Sequence, residues 1–263
     1  MARAAGSLLA GRRAVVTGAG RGIGRAIAEH LAASGASVVL AARTEAEIEA
    51  AAAGIRSLGG EAWALRCDIS DDASVAELAS ASTEVLGGPV DTLVNNAGVF
   101  LPRAFADYTL DDWTWILDIN VVALVRVTQA FLPELVRLER ARIINVSSIA
   151  GKKGTSGQAA YNASKHAQIG ITRCLAVETG ATGLRVNSVC PGFTMTDLID
   201  LEELGRVHGR PGAEFWAAVE RASTIKRTVT LDEIAAAVVY LASPAADGVN
   251  GQSLVVDGGI VMG

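Results

Sequence analysis

Short apolar, β-branched runs punctuate the chain at residues 13–17, 37–41, 61–66, 92–94, 142–146, 185–189 and 253–256. Most lack the alternating polar positions of a half-exposed strand, which predicts strands covered on both faces, as in a parallel sheet. Longer segments between them carry the helical pattern: 24–33, 45–58, 73–86, 110–138, 158–179 and 231–242. Thr44 to Glu47 and Thr230 to Glu233 both fit capping boxes, in which a hydroxyl and a carboxylate satisfy free amides of the first turn. Gly35, Gly59 and Gly87 follow helical segments, where a left-handed residue closes a helix.

This alternation predicts an α/β fold: a doubly wound parallel sheet of about seven strands flanked by helices, a three-layer sandwich with right-handed crossovers. No linker, repeat or composition break divides the 263 residues, so residues 1–263 read as one domain. The rhythm breaks once, at about 194–229, where Gly205, Gly209 and Gly212 lie among a tryptophan and mixed charges. That stretch reads as a helical flap inserted after the sixth strand. It is either a substrate lid or a surface that packs against a neighbouring subunit.

Half of the residues are hydrophobic and 19% are charged, which excludes a disordered chain. A net charge of −5 gives no electrostatic reason to expect nucleic acid. Cys67, Cys174 and Cys190 are far apart, and His30, His166 and His208 do not cluster, so neither a disulfide framework nor a metal site is expected. The N-terminal apolar stretch is too short for a secretory signal, and no run approaches the roughly 18 apolar residues of a membrane span. The expected location is cytoplasmic, with no membrane partner.

Thr17-Gly-Ala-Gly-Arg-Gly-Ile-Gly24 directly follows the first predicted strand and opens a helix. Gly18, Gly22 and Gly24 let the backbone turn sharply and approach a diphosphate, while the helix offers unpaired amides and the positive end of its dipole. In a β-α-β unit this turn predicts a Rossmann-type dinucleotide site. A carboxylate at the end of the second strand would select NAD by binding the ribose 2′-hydroxyl. Ala42 occupies that position, Arg43 follows it, and Arg21 sits inside the glycine turn. Two guanidiniums and a missing acid favour the 2′-phosphate of NADP(H), with NAD(H) kept as the alternative.

Tyr161 and Lys165 are spaced i,i+4, so on a helix they share a face. A neighbouring ammonium, together with the positive nicotinamide of the oxidised cofactor, stabilises phenolate and is expected to lower the tyrosine's proton affinity, fitting it for general acid–base work. Ser148 ends the fifth predicted strand, and its hydroxyl can stabilise negative charge on a substrate oxygen. Asn120 falls inside the long fourth helix, where asparagine is an indifferent helix former. A local bend and a water-binding role are both open for it.

Asn95-Asn-Ala-Gly98 after the fourth strand, Tyr161-Asn-Ala-Ser-Lys165, and the glycine turn together resemble the short-chain dehydrogenase/reductase family, in its compact single-domain branch. Order and spacing match over nearly the whole chain. The resemblance implies Ser148, rather than Ser147, as the catalytic serine beside Tyr161 and Lys165. It also implies that Asn120 holds a water linking Lys165 to solvent as a proton relay. For the cofactor it implies contacts from Ile23, from Asp68 and Ile69 after the third strand, and from Asn95, Ala97 and Gly98. Lys165 would also bond the nicotinamide ribose, and Pro191, Gly192, Thr194 and Thr196 would meet the carboxamide. For Asp68 a helix-capping role competes.

The implied activity is interconversion of a ketone and a secondary alcohol. The stretch from Gly151 to His166 is similar to polyketide and 3-oxoacyl reductases, which makes a 3-oxoacyl thioester the leading substrate class. An NAD-dependent secondary-alcohol or 3-hydroxyacid dehydrogenase is the alternative, and a catalytically silent dinucleotide sensor the non-enzymatic one. The resemblance further implies a homotetramer, with a dimer also compatible.

Overall fold

The computed structural model describes residues 8–196 and 198–262; residues 1–7, Asp197 of the flap and Gly263 lie outside the described residues. Strands β1 (Arg13–Thr17), β2 (Ser37–Ala42), β3 (Glu61–Arg66), β4 (Thr92–Asn95), β5 (Ala141–Val146), β6 (Leu184–Pro191) and β7 (Ser253–Val256) form one sheet in the order β3-β2-β1-β4-β5-β6-β7. Every neighbouring pair is parallel. The chain steps outward from β1 to β3 and then returns to lay β4 against the other side of β1. That reversal opens a crevice at the carboxyl ends of β1 and β4, where doubly wound sheets gather ligands.

Adjacent strand residues pack on opposite sides, as the continuous apolar runs predict. Val16, Val38 and Leu40 meet Ile27 and Leu31 of α1 (Gly22–Ala33) and Ile234 and Val238 of α9 (Leu231–Ala242). Val15, Val39, Leu93 and Ile143 meet Leu78 of α3 (Asp72–Val85) and Val127 and Phe131 of α5 (Ala123–Leu135). Each such aliphatic side chain contributes about 1.5–3 kcal/mol on burial, so a sheet covered on both faces is the stable outcome of this pattern.

The helix expected over residues 110–138 is in fact two. α4 (Leu110–Leu117) and α5 are joined by a π-helical turn at Asp118–Val122, and α5 stops at Leu135. The run Leu110–Leu135 is, by length and composition alone, long and apolar enough to cross a membrane, which corrects the expectation that no segment is. One side of it nevertheless packs into the protein through Ile116, Leu124 and Phe131.

Capping also departs from expectation at one of the two boxes. Thr230 and Glu233 cap α9 reciprocally, and Thr109 with Asp112 does the same for α4. Thr44 makes no side-chain cap to α2 (Glu45–Ser57). Glu47 instead lies over the glycine turn, where a Cβ on Gly20 would sit 2.9 Å from its carboxylate. After β6 the expected flap is a pair of helices, α7 (Leu201–Val207) and α8 (Gly212–Ala222). Its glycines permit close contact: a Cβ on Gly205 would stand 2.5 Å from the carbonyl oxygen of Arg210. Leu204, Phe215 and Val219 form a small cluster with Phe100 and Phe193, apart from the two main cores.

Candidate active site

The glycine turn is built by two tips of the sheet pressed together. Thr17 Oγ1 accepts from the backbone amides of Asn96 (3.1 Å) and Ala97 (3.2 Å). Asn96 Nδ2 returns hydrogen bonds to the carbonyls of Thr17 (2.9 Å) and Gly18 (3.1 Å). A Cβ on Gly24 would run into Gly18 O and Asn96 Nδ2 and lie 2.9 Å from the Gly18 carbonyl carbon. Gly18 itself has φ +64°, a conformation that favours glycine.

This turn is open to an anion. α1 has neither a side-chain cap at Arg21 nor an acid in its first turn, whereas α3 has both and α2 has the acids, so the leading amides of α1 remain available. Arg21 and Arg43 are exposed at the rim of the same cleft, which has a volume of about 350 Å³. Neither pairs with a carboxylate among the described residues. Asp68 lines the cleft with Ile69, and Asp71, not Asp68, caps α3. The carboxyl of Asp68 is held below the usual range by the hydroxyl and amide of Ser70, with help from Arg43. A cradle of bare amides, two unpaired guanidiniums and Ala42 in place of an acid fits a phosphorylated dinucleotide.

At the other end, α6 (Ala159–Glu178) carries Tyr161 and Lys165 beneath the tip of β5. Ser147 and Ser148 are separated by their bonding. Ser147 Oγ donates to the carbonyl of Lys165 at 3.0 Å, tying β5 to α6. Ser148 faces the pocket beside the phenol of Tyr161 and accepts only a backbone amide, from Ala150. Ser147 also borders both the small pocket and the cleft, but its hydroxyl is spent on the Lys165 carbonyl.

Burial pushes the Tyr161 phenol up to about 12, against the opposing pull of the Ser148 hydroxyl. Burial likewise lowers Lys165 to about 8. In the protein alone, without the nicotinamide that the expected lowering includes, burial dominates the phenol. Lys165 Nζ, 5.6 Å from the ring centroid, donates to Val146 O (3.0 Å) and Gln168 Oε1 (3.1 Å).

A smaller pocket of about 90 Å³ adjoins the cleft and shares Ile23, Tyr161 and Thr196 with it. Phe100, Phe193, Leu198, Ile199 and Leu204 make its wall apolar, and Pro191, Gly192 and Thr194 form its floor. Thr194 Oγ1 and Gln158 Nε2 are buried there without a hydrogen-bond partner. Trp216 does not line the pocket; it packs edge-on against Phe193.

Gly18, Gly22, Ala97 and Gly98 also border the cleft, but Asn95 does not. Asn95 Nδ2 is spent inside the sheet on Thr128 (3.0 Å) and Asn145 (2.9 Å), because successive strand residues point to opposite faces. Its neighbour Asn96 is the one at the cleft. Asn120 is the bend: its side chain clamps Val99 through both backbone groups (2.8 and 2.9 Å) and reaches Ser164 Oγ at 3.1 Å. Phe100, whose ring stands edge-on to Tyr161 at 4.9 Å, carried no signal of its own in the sequence. Gln168 did, lying one turn beyond Lys165 on the same helix face.

Residues 18–261 match a family described as enoyl-(acyl carrier protein) reductase. Over 246 residues the chain is 38% identical to the short-chain reductase protein NovJ of Streptomyces niveus, covering 94% of this chain and 92% of that one. It is 35% identical over 251 residues to a 3-oxoacyl-(acyl-carrier-protein) reductase of Synechocystis, covering 95% and 96%. A variant of actinorhodin polyketide ketoreductase, solved with NADPH, superposes with a TM-score of 0.90 at 34% identity, over 95% of this chain and 97% of that one. With its sheet order, glycine turn and Tyr161–Lys165 helix, the chain belongs to the short-chain dehydrogenase/reductase family.

Proposed function

We propose that the protein is an NADP(H)-dependent oxidoreductase that interconverts a ketone and a secondary alcohol, with a 3-oxoacyl thioester as its substrate class. The observation that carries this reading is the meeting of Ser148, Tyr161 and Lys165 where the dinucleotide-sized cleft joins the small apolar pocket. Arg21, Arg43 and Ala42 support the phosphorylated cofactor, as does the NADPH in the related ketoreductase. The reductases of 3-oxoacyl and polyketide substrates among the relatives support the substrate class.

When bound, the cofactor supplies or accepts hydride at the substrate carbon. Tyr161, protonated at neutral pH, holds the proton that the nascent alkoxide takes, and takes it back from the alcohol in reverse. Ser148 donates to the same oxygen and stabilises its developing charge. Lys165 keeps a positive charge beside the ring, which favours the phenolate left behind. The apolar wall excludes water from the reacting carbonyl, with α7 and α8 acting as the substrate lid. Exposed Leu110, Trp115 and Val122 along the 110–135 run supply apolar surface for assembly as a homotetramer.

NADPH oxidation measured against a ketone panel, with the alcohols identified, tests the reading. The highest kcat/KM is expected for a 3-oxoacyl thioester with NADPH. Binding of NADPH without turnover on any ketone would favour the dinucleotide sensor instead.

A further inference from the structure

Gln168 lies on α6 three residues beyond Lys165 and is 1% exposed. Its Oε1 accepts from Lys165 Nζ at 3.1 Å, and its Nε2 donates to the backbone carbonyl of Asn120 at 2.7 Å. Only one orientation of the amide satisfies both contacts, since an ammonium only donates and a carbonyl only accepts. The position is fixed from below as well. The carbonyl of Gln168 accepts from Thr172 Oγ1 (2.8 Å), which itself accepts from Asn145 Nδ2 at 2.9 Å. The π-helical turn between α4 and α5 is what presents the Asn120 carbonyl to α6.

We infer that Gln168 is a positioning residue of the reaction: its amide fixes the Lys165 ammonium beside Tyr161. The inference rests on the roles proposed above for Tyr161 and Lys165.

Lys165 Nζ spends two of its three N–H groups on neutral acceptors, Val146 O and Gln168 Oε1, and keeps one for the cleft. The titratable groups facing it are Tyr161 on its own helix and Cys190 on β6, with Lys152 beyond Cys190. Among the described residues no carboxylate acts on it; Cys190 is the charge that opposes the effect of burial, and the amide oxygen of Gln168 is one of its two neutral acceptors.

Titration of Lys165 by NMR in the protein alone tests this without substrate. Gln168→Met keeps the volume and removes both hydrogen bonds. It is expected to lower the lysine's titration by about one pH unit, the tenfold change in proton affinity that one charge-assisted hydrogen bond supplies. Gln168→Glu puts a carboxylate at the same distance and is expected to raise it. The alkaline limb of kcat should follow in the same order. If Gln168→Met fails to fold, Gln168→Glu alone carries the test. A titration unmoved in the folded variants would overturn the positioning role. Turnover surviving in Tyr161→Phe would instead remove the underlying reading, whatever the lysine does.

Discussion

Arg21 and Arg43, at one end of the cleft, stand in solvent without a carboxylate partner among the described residues, whereas Lys165, at the other, is 4% exposed and strongly displaced in its proton affinity. Both ends need positive charge, but they obtain different properties from it. In the proposed reading, exposed guanidiniums act through a screened field, so they select the cofactor and respond to salt. A buried ammonium is costly to keep charged, so it responds to pH and to each acceptor around it. On that reading the phosphate end is a selector and the proton end a titrating site.

The sharpest break at the phosphate end is Gly24→Ala, whose Cβ has no room between Gly18 and Asn96. NADPH affinity should fall about 100-fold, in line with the cost of forcing a methyl into a packed site, as read by fluorescence titration. Arg43→Asp should lower the ratio of kcat/KM for NADPH over NADH by about 30-fold, because a charge-assisted contact becomes a repulsion. Raising salt should shrink the wild-type preference towards that of the variant.

At the proton end the prediction is in pH. The folded value of Lys165 is depressed to about 8, so its ammonium is present below pH 8 and lost above it. Ketone reduction should therefore fall about tenfold between pH 7 and pH 9 while NADPH selectivity stays constant. A flat profile over that range would erase the distinction between the two ends.

Much of this architecture was legible in the sequence. The glycine turn, the β-α-β rhythm and the i,i+4 pair Tyr161–Lys165 are local signals, each set by residues close together in the chain. The sheet followed because runs such as Val38 to Leu40 have no polar position to expose. What escaped depends on contacts between distant segments. Asn96 and not Asn95 reaches the cleft because the strand's alternation decides which side chain points out. Thr44 makes no side-chain cap, and the Glu47 amide donates to the Thr44 backbone carbonyl instead. The direction of the Tyr161 shift required knowing how deeply the fold buries its phenol. The substrate pocket is the least legible region, since its wall joins Phe100, Phe193 and Leu204 from three separate stretches of chain.

Tyr161→Phe most directly tests the claim that the proton end does chemistry while the phosphate end only holds. The variant loses one hydroxyl and keeps the ring packed against Phe100. NADPH affinity is to be measured by fluorescence beside kcat for the best ketone of the panel. The account predicts affinity within about twofold of wild type and kcat lowered by about 1,000-fold, within the range of a lost general acid. Turnover within about tenfold of wild type, with the hydroxyl gone, would contradict it.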